Sequence, residues 1–168
     1  MKEINIVRYE SPVGEMILGS YEGKLCLADW KHRKHRSQID KRLQKALRAE
    51  YVEESSEVIE KSIKQLDAYF VNERKTFDIP LLMVGTDFQK SVWQGLIEIS
   101  YGTTASYLEL SKSIGKEKAV RAVATAIGAN ALSIFIPCHR IIGSDGSLTG
   151  YAGGIDAKKK LLDLEKSF

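Results

Sequence analysis

The sequence predicts an α+β chain in two parts. Residues 1–80 read as a small antiparallel sheet with helices, and residues 85–168 as a mostly helical unit built on a helix-turn-helix. Three observations carry this reading. The chain opens with three short, partly alternating apolar runs, the pattern of half-buried strands. The second half holds two capping-box sequences, Thr86-x-x-Gln89 and Ser106-x-x-Glu109, each at the head of a helical segment. A glycine-containing turn then joins two short helical segments, as in a helix-turn-helix.

The elements follow in order. Ile4–Arg8, Gly14–Ser20 and Lys24–Trp30 are separated by the turn signals Ser11-Pro12 and Glu22-Gly23, which predicts a meander. Ser37–Ala49 has helical spacing through Ile39, Leu43, Ala46 and Leu47. Ser56–Phe70 repeats it through Val58, Ile59, Ile63, Leu66 and Tyr69 or Phe70. Lys75–Pro80 is a candidate returning strand. Asp87 to Ile99 reads as a helix stopped by Tyr101-Gly102, Ser106 opens a short helix ending at Gly115, and the alanine-rich 116–129 segment is a third. Ala131–Ile136 is an apolar run leading into Pro137-Cys138-His139-Arg140. Tyr151-Ala152-Gly153-Gly154 is a loop, and Ile155–Lys166 closes the chain as an amphipathic helix.

Composition bounds the function. The 168 residues are 43% hydrophobic and 28% charged, with a net charge of +3. That is a globular composition, not a disordered one. The basic excess is spread over both halves, so DNA binding would rest on placed residues rather than bulk charge. The one basic cluster, Lys31–Arg36, reads as a solvated loop between strand and helix. No apolar run is long enough to span a membrane, and no secretory signal opens the chain, so a cytoplasmic, reducing location is expected. There Cys26 and Cys138 stay unpaired. Cys26 alternates with core positions. With His32 and His35 it makes a weak metal set that lacks a fourth ligand, so no metal is expected.

Chemistry concentrates at Cys138. A free thiol with pKa near 8.5 is only about 3% thiolate at pH 7, so a nucleophilic role requires a base or cation beside it. His139 and Arg140 supply candidates. Adjacent side chains rarely face each other, which favours contact through a water. Taken alone, these residues leave an inert buried thiol equally open. Tyr107 and Arg121 form a second candidate pair in the helix-turn-helix. The small side chains around Arg121 fit either close packing or close approach to a partner.

These segments occur together in a distinctive order: Gly85-Thr-Asp-Phe-Gln-Lys-Ser-Val-Trp93, Tyr101-Gly-Thr-Thr-Ala-Ser-Tyr107, Arg121-Ala-Val, Asn130, Ile136-Pro-Cys-His-Arg-Ile-Ile142, Ser144-Asp-Gly, Gly150-Tyr151 and Gly153-Gly154. The chain resembles the O6-alkylguanine-DNA alkyltransferase family, the methylated-DNA–protein-cysteine methyltransferases. The likeness is strong over residues 85–168. Over residues 1–84 it rests on element order and on Ser11-Pro12-x-Gly14.

The resemblance implies an RNase H-like first part and a winged-helix-like second part. It implies direct DNA repair: a damaged guanine flips out of the duplex, and its O6-alkyl group, with O4-alkylthymine as a further substrate, passes irreversibly to Cys138. One molecule turns over once, with no cofactor. His139 would act as base through a water and Glu165 would orient it. Asn130 would tie the cysteine turn to the helix-turn-helix. Tyr107 would donate to the leaving guanine and crowd the target phosphate, and Arg121 would fill the gap in the stack. Arg140 is expected on DNA, and Pro137, Tyr151 and Ala152 in the substrate pocket. Small residues at 152–154 suggest room for more than methyl. The partner would be double-stranded DNA, bound through the minor groove by a monomer.

Three positions depart from the family pattern. Ala131 stands for Pro, Ser100 for Pro, and Ala124 for Gly; none removes a reacting group. Three competing readings explain less. A lesion sensor leaves Cys138 without a task. A Cys-His hydrolase needs an oxyanion hole and gives Arg121 no task. A sequence-specific transcription factor needs base-reading side chains that Ala119–Ala129 lacks.

Overall fold

The computed structural model describes residues 2–166. β1 (Lys2–Ser11), β2 (Gly14–Tyr21) and β3 (Lys24–Trp30) form the expected antiparallel meander. Ser11 closes the first turn, its hydroxyl donating to the Gly14 carbonyl at 2.6 Å. The sheet is nevertheless mixed rather than antiparallel. After α1 (Arg36–Leu47), a fourth strand, β4 (Ala49–Glu53), pairs in parallel with β1, giving the order β3-β2-β1-β4. The helix returns the chain in its original direction, as a crossover connection does. β4 reads Ala-Glu-Tyr-Val-Glu, whose charges hid it in the sequence.

The strand expected over 75–80 does not form. Leu25 donates to the Pro80 carbonyl and accepts from Leu82, but the pairing stops at a single bridge to Leu81. Proline has no N–H with which to extend a ladder. α2 (Glu57–Phe70) starts at Ser56, whose hydroxyl accepts from the Ile59 amide, and buries Ile59, Ser62, Leu66 and Tyr69 along one stripe.

The second half is helical: α3 (Asp87–Ile97), α4 (Tyr107–Ser113), α5 (Val120–Gly128) and α6 (Ile155–Lys166), with a short parallel pair, β5 (Ala105–Ser106) and β6 (Ile141–Ile142). Both capping boxes close. Gln89 N donates to Thr86 Oγ1 at 3.1 Å, and Glu109 N donates to Ser106 Oγ at 3.0 Å. The helix expected over 116–129 is shorter, with a 3₁₀ turn at Glu117–Ala119 preceding α5. Gly95 lets α3 approach α4, since a Cβ there would sit 2.6 Å from Ile114.

The apolar run 131–136 is a tight turn rather than a strand. Ile136 N donates to the Leu132 carbonyl at 2.8 Å, and Ile134 takes a positive φ of 76°. A β-branched residue is held in that conformation only when its surroundings demand it. The turn is pinned to β3 by Ala28 and Leu132, and it delivers Pro137 and Cys138 to the seam between the two halves. One core spans that seam. Met16, Leu18 and Trp30 from the sheet and Tyr69 from α2 share it with Trp93, Val123 and Leu161. Among the described residues, no helix is long and apolar enough to cross a membrane.

Candidate active site

Cys138 begins a 3₁₀ turn, Cys138–Arg140, and all three side chains are buried. The turn is why neighbours in sequence meet different partners. Cys138 faces back toward the end of α5, where Asn130 Nδ2 lies 3.2 Å from its Sγ and donates to the Ile136 carbonyl at 3.0 Å. Asn130 Oδ1 in turn accepts from Leu132 N at 2.9 Å, which fixes the amide's orientation. One side chain therefore holds both ends of the 131–136 turn and touches the sulfur.

His139 faces α6. Its Nε2 is 2.7 Å from Glu165 Oε2, and its buried Nδ1 has no hydrogen-bond partner among the described residues. Glu165 is almost wholly enclosed, with 1% exposure. It also accepts from Arg140 Nε at 2.8 Å, Arg140 Nη2 at 3.0 Å and the Tyr69 hydroxyl at 2.7 Å. Burial opposes its charge, but the hydrogen bonds from His139 and Arg140 prevail and hold the carboxyl at about 2. Burial lowers the pKa of His139 despite Glu165, and burial raises that of the Cys138 thiol despite Asn130. The resting site is therefore a neutral thiol and a neutral imidazole beside an ionised carboxylate. With Glu165 ionised, Nε2 carries the imidazole proton and Nδ1 is the vacant base.

Cys138 opens onto a cavity of about 190 Å³ whose walls include Tyr107, Ala124, Asn130, Tyr151 and Ala152. Tyr107, at the first position of α4, shares a 2.7 Å hydrogen bond with Thr149. Arg121, in the first turn of α5, is exposed and stands apart from the cavity walls.

Residues 87–167 match the family described as 6-O-methylguanine DNA methyltransferase, DNA binding domain, and residues 7–83 match its ribonuclease-like domain. The methylated-DNA–protein-cysteine methyltransferase of Methanosarcina barkeri is 45% identical over 158 residues, covering 94% of each chain. The chain belongs to the 6-O-methylguanine DNA methyltransferase family. Its activity is direct DNA repair by a single, irreversible transfer of an alkyl group to a cysteine, and its partner is double-stranded DNA. The crystal structure of Mycobacterium tuberculosis OGT in complex with DNA superposes with a TM-score of 0.81 at 37% identity, covering 98% of this chain and 93% of that one. The Mycobacterium leprae methyltransferase is 39% identical over 157 residues, covering 94% of this chain and 89% of its own.

For this methyltransferase several sequence expectations need correction. Arg140 does not reach the surface toward DNA. Its guanidinium forks onto Glu165, donates to the Ile99 carbonyl at 2.6 Å, and is buried. Pro137 is buried and is not part of the cavity wall; its carbonyl accepts from Arg140 N. Within the 151–154 loop, Ala152 lines the cavity, whereas the two glycines answer to packing and backbone conformation. A Cβ at Gly153 would lie 2.7 Å from the Trp30 ring, and Gly154 has a φ of +93°. Nor is Lys31–Arg36 simply a solvated loop: Arg33 and Arg36 both reach the buried Asp29 carboxylate at 3.3 Å. Cys26 is buried in the sheet core, where burial pushes its thiol up to about 12.

Sequence reasoning missed Tyr69, Arg33 and Lys158. Tyr69 sits on α2, far in sequence from the carboxylate it holds, and appeared only as one more core aromatic. Lys158, with 1% exposure, places Nζ 3.4 Å from both the Thr149 carbonyl and its hydroxyl, behind Tyr107. A lysine at a core-facing position of a closing amphipathic helix was the signal available.

Proposed function

We propose that Cys138 is the alkyl acceptor and that O6-alkylguanine is the base that enters the cavity, with O4-alkylthymine as a further candidate substrate. The observation that carries this reading is the paired orientation of Cys138 and His139. The thiol faces the cavity and Asn130, while the imidazole is fixed by Glu165 with Nδ1 vacant. In the reaction, the thiol proton passes through a water to His139 Nδ1. The sulfur attacks the alkyl carbon, the carbon–O6 bond breaks, and its electron pair stays on the guanine. Tyr107 lines the cavity and donates to the leaving base, and Glu165 stabilises the imidazolium that forms. The product thioether has no neighbour able to reverse it, so one molecule acts once.

In this reading residues 85–168 carry the chemistry and residues 1–80 buttress it; the two family matches, meeting between 83 and 87, support that division. The protein acts as a monomer in the cytoplasm, where an unpaired thiol stays reduced. α5 enters the minor groove. Its Val-Arg-Ala-Val-Ala-Thr-Ala-Ile-Gly sequence suits an inspector of any sequence, since that groove carries little base information. Exposed at its first turn, Arg121 takes the place of the flipped base. Tyr151 and Ala152 bound the pocket, with Tyr151 braced edge-on against Trp30 at 5.9 Å between ring centroids.

Intact-mass spectrometry after incubation with a duplex carrying one O6-methylguanine tests the assignment. The expected result is a gain of one methylene unit on the Cys138 peptide, absent in Cys138→Ser. An unchanged mass in the wild-type protein, or a gain that persists in Cys138→Ser, overturns it.

A further inference from the structure

The end of α5 is held by residues from the other half of the chain. Three successive carbonyls there face arginines of the β3–α1 loop and of α1. Arg33 Nη2 donates to the Gly128 carbonyl at 2.7 Å, Arg42 Nη2 to Ala129 at 2.9 Å, and Arg33 Nη1 to Asn130 at 3.4 Å. Helix C-termini leave carbonyls unpaired and carry partial negative charge, so cations there are favoured. Arg33 is not a free surface cation. Its side chain is 9% exposed, and it is held by Asp29, which is wholly buried at the end of β3. Asp29 serves this local cluster alone among the contacts of the described residues. Its carboxylate accepts from Trp30 N at 2.9 Å, meets Arg33 and Arg36, and lies away from the cavity wall.

Asn130 is the residue whose amide touches Cys138 Sγ. Its backbone carbonyl is held by Arg33 while its side chain holds the sulfur, and Arg33 itself lines the cavity. We propose that Arg33, clamped by Asp29, is a positioning residue for alkyl transfer: it fixes Asn130 at the end of α5, and through Asn130 sets where Cys138 stands in the cavity. The N-terminal half then does more than buttress the site. It couples the position of the DNA-binding helix to that of the nucleophile. This rests on the alkyl-transfer reading, in which Cys138 is the acceptor.

The geometry selects arginine over lysine. One planar guanidinium spans Asp29 and two carbonyls, which a single ammonium cannot reproduce. The test compares wild type, Arg33→Ala, Arg33→Lys, Asn130→Ala and the double variant Arg33→Ala/Asn130→Ala. Two substrates are used: O6-methylguanine duplex at saturation, and free O6-benzylguanine base. Duplex affinity is measured separately on a Cys138→Ser background. Losing charged hydrogen bonds to the site's support is expected to slow transfer by roughly tenfold to a hundredfold. The same factor should appear on duplex and on free base, with duplex affinity changed less than threefold. Arg33→Lys should restore little of the rate, and Arg33→Ala should cost almost nothing further once Asn130 is alanine.

Three results overturn the proposal. One is an unchanged rate on both substrates. Another is a loss confined to duplex affinity with a normal free-base rate, which makes Arg33 a phosphate contact. The third is full additivity with Asn130→Ala. Where Arg33→Ala fails to fold, Arg33→Lys keeps a cation beside Asp29 and decides alone: a wild-type rate refutes the role, and an equal loss on both substrates supports it. Iodoacetamide modification of the Cys138 peptide, followed by mass in the same variants, separates this proposal from the parent reading. It reports on the thiol even if the wild-type protein gains no methyl from DNA.

Discussion

The two sides of Cys138 are built on opposite plans. On the His139 side the Glu165 carboxylate is saturated, and His139 Nδ1 alone stays vacant. Glu165 receives four hydrogen bonds, from His139, twice from Arg140 and from Tyr69, inside a space with almost no solvent access. On the Asn130 side a single amide touches the sulfur, and beyond it the site opens into a cavity. The closed side fixes protonation states before substrate arrives, and the open side leaves room for a base. Both sides depend on the N-terminal half, through Tyr69 on one and Arg33 on the other.

The largest effect expected is at the closed side. Glu165→Gln keeps the shape but removes the charge that supports an imidazolium, and it leaves Arg140 buried beside a neutral amide. By analogy with carboxylate-to-amide changes in histidine-based sites, transfer should fall by about 10³-fold or more. Stability should also fall, by roughly 3 kcal/mol, because a buried cation loses its partner. Single-turnover rates together with thermal unfolding check both. A near-wild-type rate would show that the closed network is architecture without a catalytic task.

Much of this was legible beforehand. Helix starts were, because capping is local: Thr86-x-x-Gln89 and Ser106-x-x-Glu109 close as written. The fold class and the resemblance were also legible, because Pro137-Cys138-His139-Arg140 and its flanking segments lie in one stretch. What failed depends on contacts across the chain. β4 exists because β1 has a free edge, despite its charged sequence. The 131–136 run, to which the sequence assigns no element, turns because Asn130 bonds both its ends, with Ile134 forced to positive φ. Arg140 looked like a DNA contact because nothing local reveals that Glu165 lies behind it.

Next in size is a change on the open side. Gly153→Ala sets a methyl 2.7 Å from the Trp30 indole, a contact that requires movement. The 151–154 loop should shift, destabilising the protein by about 1–3 kcal/mol as overpacking does. Transfer should slow with the displacement of Tyr151 and Ala152. Unfolding midpoints and free-base transfer rates measure the two effects, and an unperturbed rate would show that the loop wall is not set by Trp30.

Tyr69→Phe is smaller. It removes one of the four hydrogen bonds to Glu165 and leaves the others, so a loss of about 1 kcal/mol is expected, with at most a few-fold slower transfer. Denaturant midpoints resolve a change of that size. A loss as large as that of Glu165→Gln would mean that α2 does more than support the carboxylate.

The finest distinction comes from acid. Burial lowers the folded pKa of His139 below its usual 6.5, in spite of Glu165. The unfolded chain therefore takes up a proton near pH 6.5 that the folded chain refuses, and stability falls as pH drops below that value. Glu165 acts lower down. Its folded value of about 2 lies below the usual 4.5, because the hydrogen bonds from His139 and Arg140 outweigh burial. Its contribution is complete above about pH 4.5 and is lost as pH falls toward 2. Acid should thus weaken the protein in two stages, both set by the closed side. Replacing His139 with Gln should abolish the upper stage while the lower one persists through Arg140 and Tyr69. Unfolding free energies measured from pH 8 to pH 3 test this; an upper stage that survives His139→Gln would place its origin outside the site and dissolve the contrast between the two sides.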